Sequence, residues 1–340
     1  MSLITPSWVQ VHPSYVMPEA IMQFQQASGA FDMIATGDPL VRLGEGDLLV
    51  YVKSFDVRTK VNAGQSAYNA LPSVSVVGRQ LSTPTYLIRV RAEYDHHDTA
   101  AANQWGISIV DAQRLGMRQG VFQEMRNALL YGFNPLNGEG LLNTPGATTV
   151  NLPQDSNGNS TVVTYDNGEM ATFLLTQISA IKTRTMQLGL PARMVICGPQ
   201  RVLGAFEYQN IVQLTQFQRA GAGTLPTAGV VKAILEMNED SIEWTYDDTL
   251  IGQGAGGTDA VVIVMPEVRK PKANTINTNE FAQLAPGLDA TTLMLVDMAA
   301  PREIPTPLPG GAIDVLSELR TTSGWGIRPE AVTIVSMQYQ

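Results

Sequence analysis

The chain has 340 residues with a net charge of −9, and 16% of its residues are charged against 44% hydrophobic. That length provides a sizeable core, while the charged fraction falls well below the roughly 25% of a typical soluble domain, so much of the surface is uncharged. The acidic balance argues against a protein whose main task is gripping nucleic acid, since that work needs clustered Lys and Arg to displace counterions from phosphates.

Gln, Asn, Thr, Ser, Gly and Pro fill the gap left by charge. Such a composition is expected where surface is later buried against neighbouring subunits. The densest basic stretch, Arg269-Lys270-Pro271-Lys272, is Pro-broken and reads as a solvated loop. With Cys197 as the one cysteine, no disulfide can form within the chain, and assembly in a reducing cytoplasm is expected. Met1-Ser2-Leu3-Ile4-Thr5-Pro6 lacks a charged region followed by an apolar one. No stretch approaches about 18 consecutive apolar residues, so neither a standard secretion signal nor a membrane span is expected.

In chain order, residues 1–17 read as an irregular arm, interrupted by Pro6 and Pro13 and carrying Trp8, Val9, Val11 and Tyr15. A short helical segment follows from Pro18 to about Gln26. Leu48–Val61 and Pro84–Tyr94 are β-like, and the polar stretch between them suggests an extended hairpin. Thr99–Tyr131 is the longest helical candidate, with Ile107, Val110, Met117, Val121, Met125 and Ala128 on one face and Asp98-Thr99 as its cap. A turn-dense loop, Leu136 to Gly146, comes next, then a polar stretch over 147–167.

Helical spacing returns at Met170–Leu188, a buried strand is expected at Met194–Cys197, and a helix at about Gln200–Tyr208. Residues 211–229 read as a loop rich in Gln, Gly, Ala and Thr. Strand-like runs recur at 242–246, 260–265, 292–296 and 332–337, giving an α+β class rather than a regular βαβ alternation.

This order, with Gly140-Leu141-Leu142-Asn143-Thr144-Pro145-Gly146 directly after the longest helix and Arg328-Pro329-Glu330-Ala331 close to the end, resembles the Hong Kong 97-type capsid fold of tailed-phage major capsid proteins and encapsulin shells. The segment Leu319–Ala331 is similar to that family's terminal strand and turn. The resemblance implies an N-terminal arm (1–47) and an extended hairpin or E-loop (48–95). It further implies a peripheral P-domain (96–167 with 297–340) around a spine helix (99–131), and an axial A-domain (168–296) with 211–229 as a tip loop.

It implies a structural major capsid protein, self-assembling as pentamers and hexamers into an icosahedral head that encloses double-stranded DNA without sequence-specific binding, with no membrane role. A portal protein and separate scaffolding or decoration proteins would be its partners. The chain would reside in the virion and assemble in the host bacterial cytoplasm. Lacking a long charged helical leader, the sequence points to a separate scaffold, and Lys53 and Lys60 at the hairpin base do not support covalent crosslinking. The rival readings are an encapsulin-like nanocompartment shell and a polysaccharide-processing enzyme.

No catalytic, cofactor or metal site is expected. Tyr94-Asp95-His96-His97-Asp98 has metal-binding residue types but reads as a polar hinge and helix cap, since neighbours on a strand point to opposite faces. Gly252–Asp259 looks like a phosphate cradle but lacks the Lys and the following helix, so it reads as a hairpin turn. Asp247-Asp248 and Glu239-Asp240 read as loop carboxylates without a visible partner. The chemistry is therefore interface chemistry, with Trp8, Tyr68, Trp105, Arg118 and Trp325 as candidate anchors.

Overall fold

The computed structural model describes residues 29–34, 43–44, 46–59, 74–104, 108–185, 187, 191–208, 227–236, 239–268, 292–294 and 301–340. In chain order the elements are β1 (Leu49–Thr59), β2 (Val74–Tyr94), α1 (His96–Gln104), α2 (Ile109–Leu130), β3 (Thr148–Asn151), α3 (Asn167–Arg184), β4 (Arg193–Gly198), α4 (Gln200–Tyr208) and α5 (Thr227–Glu236). They continue with β5 (Ser241–Tyr246), β6 (Asp259–Val264), β7 (Leu293–Met294), β8 (Arg302–Pro307), β9 (Ile313–Thr322), β10 (Trp325–Gly326) and β11 (Val332–Met337).

The expected hairpin is present: β1 and β2 pair antiparallel from Leu49 opposite Pro84 to Thr59 opposite Val74. β2 then runs on past β1 to pair with β9, from Thr85 opposite Thr322 to Tyr94 opposite Ile313, in a sheet ordered β1-β2-β9-β8. Its side chains alternate with period two. Ile88 and Val90 turn toward Leu319 and the helix residues Val121 and Met125, while Arg89 and Arg91 turn to the open side.

The spine expected over 99–131 is two helices. Backbone at Ser108 is extended, and its hydroxyl accepts the Asp111 N–H (3.4 Å), so Ser108 starts a new helix instead of continuing an old one. The first helix is capped by Asp95 rather than Asp98, the Asp95 carboxylate accepting the Asp98 N–H at 2.8 Å. In α2, Met117, Val121, Ala128, Leu129 and Leu130 form the buried stripe.

A second sheet, ordered β3-β11-β6-β4-β5, is covered on both faces. All six residues of β6 and all six of β11 are buried, and both strands are predominantly apolar, with Asp259, Thr333 and Ser336 as the polar exceptions. Val261 and Ile263 point into a core shared with Met170, Leu174 and Ile178 of α3, Phe206 of α4 and Val231 of α5. Ala260, Val262 and Val264 point the other way, against Leu129 and Leu130 at the end of α2, Leu141, and Ala30 with Met33. One helix thus packs its middle on the first sheet and its last turn on the second.

The α+β class holds, and several expectations are corrected. The polar stretch 147–167 contains β3, paired parallel to β11. Residues 227–229, read as loop, open α5, while 209–226, the expected helix at 18–26 and the irregular arm over 1–17 lie outside the described residues. Gly252–Asp259 is not a hairpin turn, because β4 lies between β5 and β6. The strand expected over 292–296 is the short β7, paired with β10.

Asp240 is no loop carboxylate without a partner: it is buried, accepts both a Lys182 ammonium bond at 2.9 Å and the Ala192 N–H at 2.8 Å, and so joins α3 to the entry of β4. Asp248 likewise accepts the Gln200 N–H (2.8 Å) at the start of α4, and Asp247 accepts the Thr249 N–H at 3.1 Å. Because Lys182 and Asp240 are both removed from water, Lys182→Met should lower the unfolding free energy by about 3–5 kcal/mol by leaving a buried charge unpaired. Adding Asp240→Asn, which keeps the acceptor for Ala192, should recover most of that in a double-mutant cycle followed by urea denaturation. Equal loss in the single and double variants would contradict the pairing.

Candidate assembly interface

The loop after α2 forms a polar junction. Glu139 is a buried carboxylate that accepts the Tyr86 hydroxyl (2.9 and 3.0 Å), the Asn134 N–H (3.0 Å) and the Ser323 hydroxyl (2.6 Å). Tyr86 lies on β2, and Ser323 lies in the short connection from β9 to β10, so one side chain ties the hairpin and the C-terminal strands to the loop that follows the spine. Burial, and then the hydrogen bond and charge of Glu139, push the Tyr86 phenol up to about 12, so it stays a donor.

Backbone completes the junction. The Gly140 N–H donates to the Gly324 carbonyl and the Gly324 N–H to the Ala128 carbonyl, both at 2.8 Å. Gly140 has φ +88°, and a Cβ there would strike the Tyr131 backbone. A Cβ on Gly324 would strike the Leu129 carbonyl. The Asn143 amide donates to the Tyr131 (3.0 Å) and Glu139 (3.2 Å) carbonyls, closing the loop on the helix end. The Gly-Leu-Leu-Asn-Thr-Pro-Gly string therefore serves to dock this loop.

Two outward features flank the junction. On the open side of β2 and β9, Arg91 pairs with Asp314 (2.8 Å) and Glu93 (3.2 Å), and Arg89 with Glu318 (3.5 Å). At the base of the hairpin Leu48, Leu49 and Tyr51 are exposed, Leu48 at 71%. Exposed apolar side chains grouped at the root of a projecting hairpin are a natural contact surface.

Of the sequence candidates, Trp8, Tyr68 and Trp105 lie outside the described residues. Arg118 on α2 meets Glu303 of β8 at 3.7 Å beside Arg114 at 3.3 Å, with its side chain 69% exposed. Trp325 is half-buried on β10, opposite Met294. Sequence reasoning passed over Glu139 and Ser323; the one available signal is a lone acid between two glycines in an apolar loop.

Elsewhere, Asp259 at the end of the Gly-rich loop is buried and held bidentately by Arg201 (2.7 and 2.5 Å), whose guanidinium also lies over the Tyr339 ring. These residues line a cleft of about 370 Å³ in which the arginine charge is already matched. His96 and His97 stack on each other, and among the described residues no group of three or more His, Cys, Asp or Glu is placed to hold a metal ion.

Residues 62–206 match the family model of the major capsid protein. The whole fold matches the capsid of Myoviridae phage XM1, with a TM-score of 0.66 at 11% identity over 95% of this chain and 96% of that one. Family model and fold thus point the same way, to a likeness with capsid proteins. The capsid of an empty GTA particle matches at a TM-score of 0.59 and 8% identity over 96% of this chain and 95% of that one. The capsid of cyanophage P-SCSP1u matches at 0.57 and 10% over 96% and 93%. No curated protein matches by sequence. The resemblance to tailed-phage capsid proteins read from the sequence holds, and it rests on fold more than on residue identity.

The junction predicts an alkaline signature. A phenol held near 12 in the fold and near 10 when unfolded adds stability that is whole below about pH 10 and is lost as pH rises toward 12. Tyr86→Phe should flatten that decline in thermal melts between pH 9 and 12. Glu139→Ala, which strands the Tyr86, Ser323 and Asn134 donors, should cost on the order of 3 kcal/mol at pH 7. An unchanged melting temperature in Glu139→Ala would show that the junction carries no weight.

Proposed function

We propose that the chain is the repeating structural subunit of an icosahedral tailed-phage head, assembling as pentamers and hexamers around double-stranded DNA. The observation that carries this reading is the match of residues 62–206 to the major capsid protein model within a fold that aligns with a phage capsid over 95% of the chain. In this reading 1–47 is the arm and 48–95 the E-loop. Residues 96–167 with 297–340 form the P-domain, and 168–296 the A-domain. Pentamers and hexamers would close around the A-domain.

Assembly would work through many weak contacts summed over a closed surface. The β1–β2 ladder supports this, since a two-stranded ribbon projecting beyond its sheet has little core of its own and gains stability by lying on a neighbour. A net charge of −9 suits a container that must not bind its contents tightly. Trp8, Tyr68, Trp105, Arg118 and Trp325 are the proposed anchors, the role is structural rather than enzymatic, and a portal with scaffolding or decoration proteins completes the head in the host cytoplasm.

Sedimentation velocity over a concentration series should show the purified chain passing cooperatively from slow species to capsomers or shells. Replacing residues 60–73 by Asn-Gly, a two-residue turn that continues from the last pair Thr59–Val74, should leave a folded subunit that stops short of shells. A wild-type chain that stays monomeric throughout, or normal shells from the shortened hairpin, would contradict the reading.

A further inference from the structure

Charge is divided unevenly between the hairpin and the rest of the chain. Residues 48–83 carry Lys53, Arg58, Lys60 and Arg79 against Asp56 alone, a net +3. Of the chain's 22 basic and 31 acidic residues, that leaves 18 and 30 for the remainder, a net −12. The strand register shows the same contrast. Where β2 runs inside its sheet, Arg89 lies opposite Glu318 and pairs with it at 3.5 Å. On the ribbon Lys53 lies opposite Gln80, Arg58 opposite Ser75 and Arg79 opposite Ser54, so none of these bases has an acid across the ladder. The ribbon also has no third strand: β2 meets β9 only from Thr85 onward, and among the described residues β1 pairs with β2 alone.

We propose that the hairpin is an electrostatic clasp, its basic ribbon docking on the acidic body of a second copy of this chain. The inference rests on the proposed subunit reading and supplies the chemistry of the hairpin contact. Whole copies repel, but a +3 ribbon presented to a −12 body attracts, and each copy carries both halves of such a head-to-tail contact. The acid is concentrated in residues 139–267, which hold 13 acidic residues against six basic ones. Lys182, Arg193 and Arg201 neutralise Asp240, Glu243 and Asp259 there. Asp155, Asp166 and Glu169 gather at the turn before α3, where Asp155 accepts the Asp166 N–H (3.2 Å) and Glu169 the Ser156 N–H (2.9 Å), with no basic side chain paired to them among the described residues. Burial first, and then these three charges, push the neighbouring Tyr165 phenol up. A DNA duplex is the poorer match, because the bases are spread along the ribbon and the body behind it repels phosphate.

Replacing Lys53, Arg58, Lys60 and Arg79 together by Gln removes the basic charge and leaves the body intact. The variant's circular dichroism and melting temperature should match the wild type, while light scattering at low salt should show association slowed about tenfold or more. That gap should close by about 1 M NaCl, where charges are screened beyond about 3 Å. Exchanging Lys for Arg and Arg for Lys at the same four positions should leave association as in the wild type. Equal association of the Gln variant and the wild type at low salt overturns the clasp, and so does a gap that persists at high salt, which would mark a packing contact. Wild-type binding of a short DNA duplex that the Gln variant loses while associating normally also overturns it, giving the ribbon to nucleic acid. A wild-type chain that never associates overturns the subunit reading instead. If the fourfold variant melts well below the wild type, Lys53→Gln with Arg79→Gln carries the same test, and normal low-salt association of that pair likewise overturns the clasp.

Discussion

One buried carboxylate holds the architecture in register. Glu139 enters the interior where the hairpin strand β2, the loop after the spine helix and the connection between the C-terminal strands meet, and each of these gives it a donor. A buried anion is tolerated only when its lone pairs are filled, so the three partners are fixed by the same need that fixes the glutamate. The glycines at 140 and 324 let the surrounding backbones approach closely enough for this to happen. Loss of that approach would let the two sheets move independently on either side of α2.

From this constraint follows a division of labour within the subunit. The five-stranded sheet, buried on both faces, is a rigid block. The four-stranded sheet has one face on α2 and the other open, ruled by alternating arginines and carboxylates. Exposed ion pairs of this kind contribute little stability, and they suit a surface that must stay soluble before it meets a neighbour. In the proposed shell the block would supply shape, and the projecting hairpin and loops the contacts.

Much of the fold was legible in the sequence because local patterns carry it. The alternation around Ile88 and Val90, the apolar runs of β4, β6 and β11, and the helix over Gln200–Tyr208 all appear where periodicity places them. The errors have physical causes. Thr99–Tyr131 reads as one helix because its apolar spacing is unbroken, yet Ser108 caps a second start within it. β8 carries Pro305 and Pro307, which suit an edge strand and mask it as loop. β9 alternates openly, but the partner that makes it a strand is remote, with Arg91 and Asp314 separated by 223 positions. The junction was least legible of all, since Glu139 meets Tyr86 and Ser323 at separations of 53 and 184.

The central claim, a subunit locked at Glu139 that assembles through its projecting hairpin and loops, is tested most directly by a cryo-electron microscopy reconstruction of the assembled shell. The account predicts that Glu139 keeps Tyr86 and Ser323 in every symmetry-independent copy while β1 and β2 lie against a neighbouring subunit. An opened junction, or a hairpin packed only on its own subunit, would contradict it.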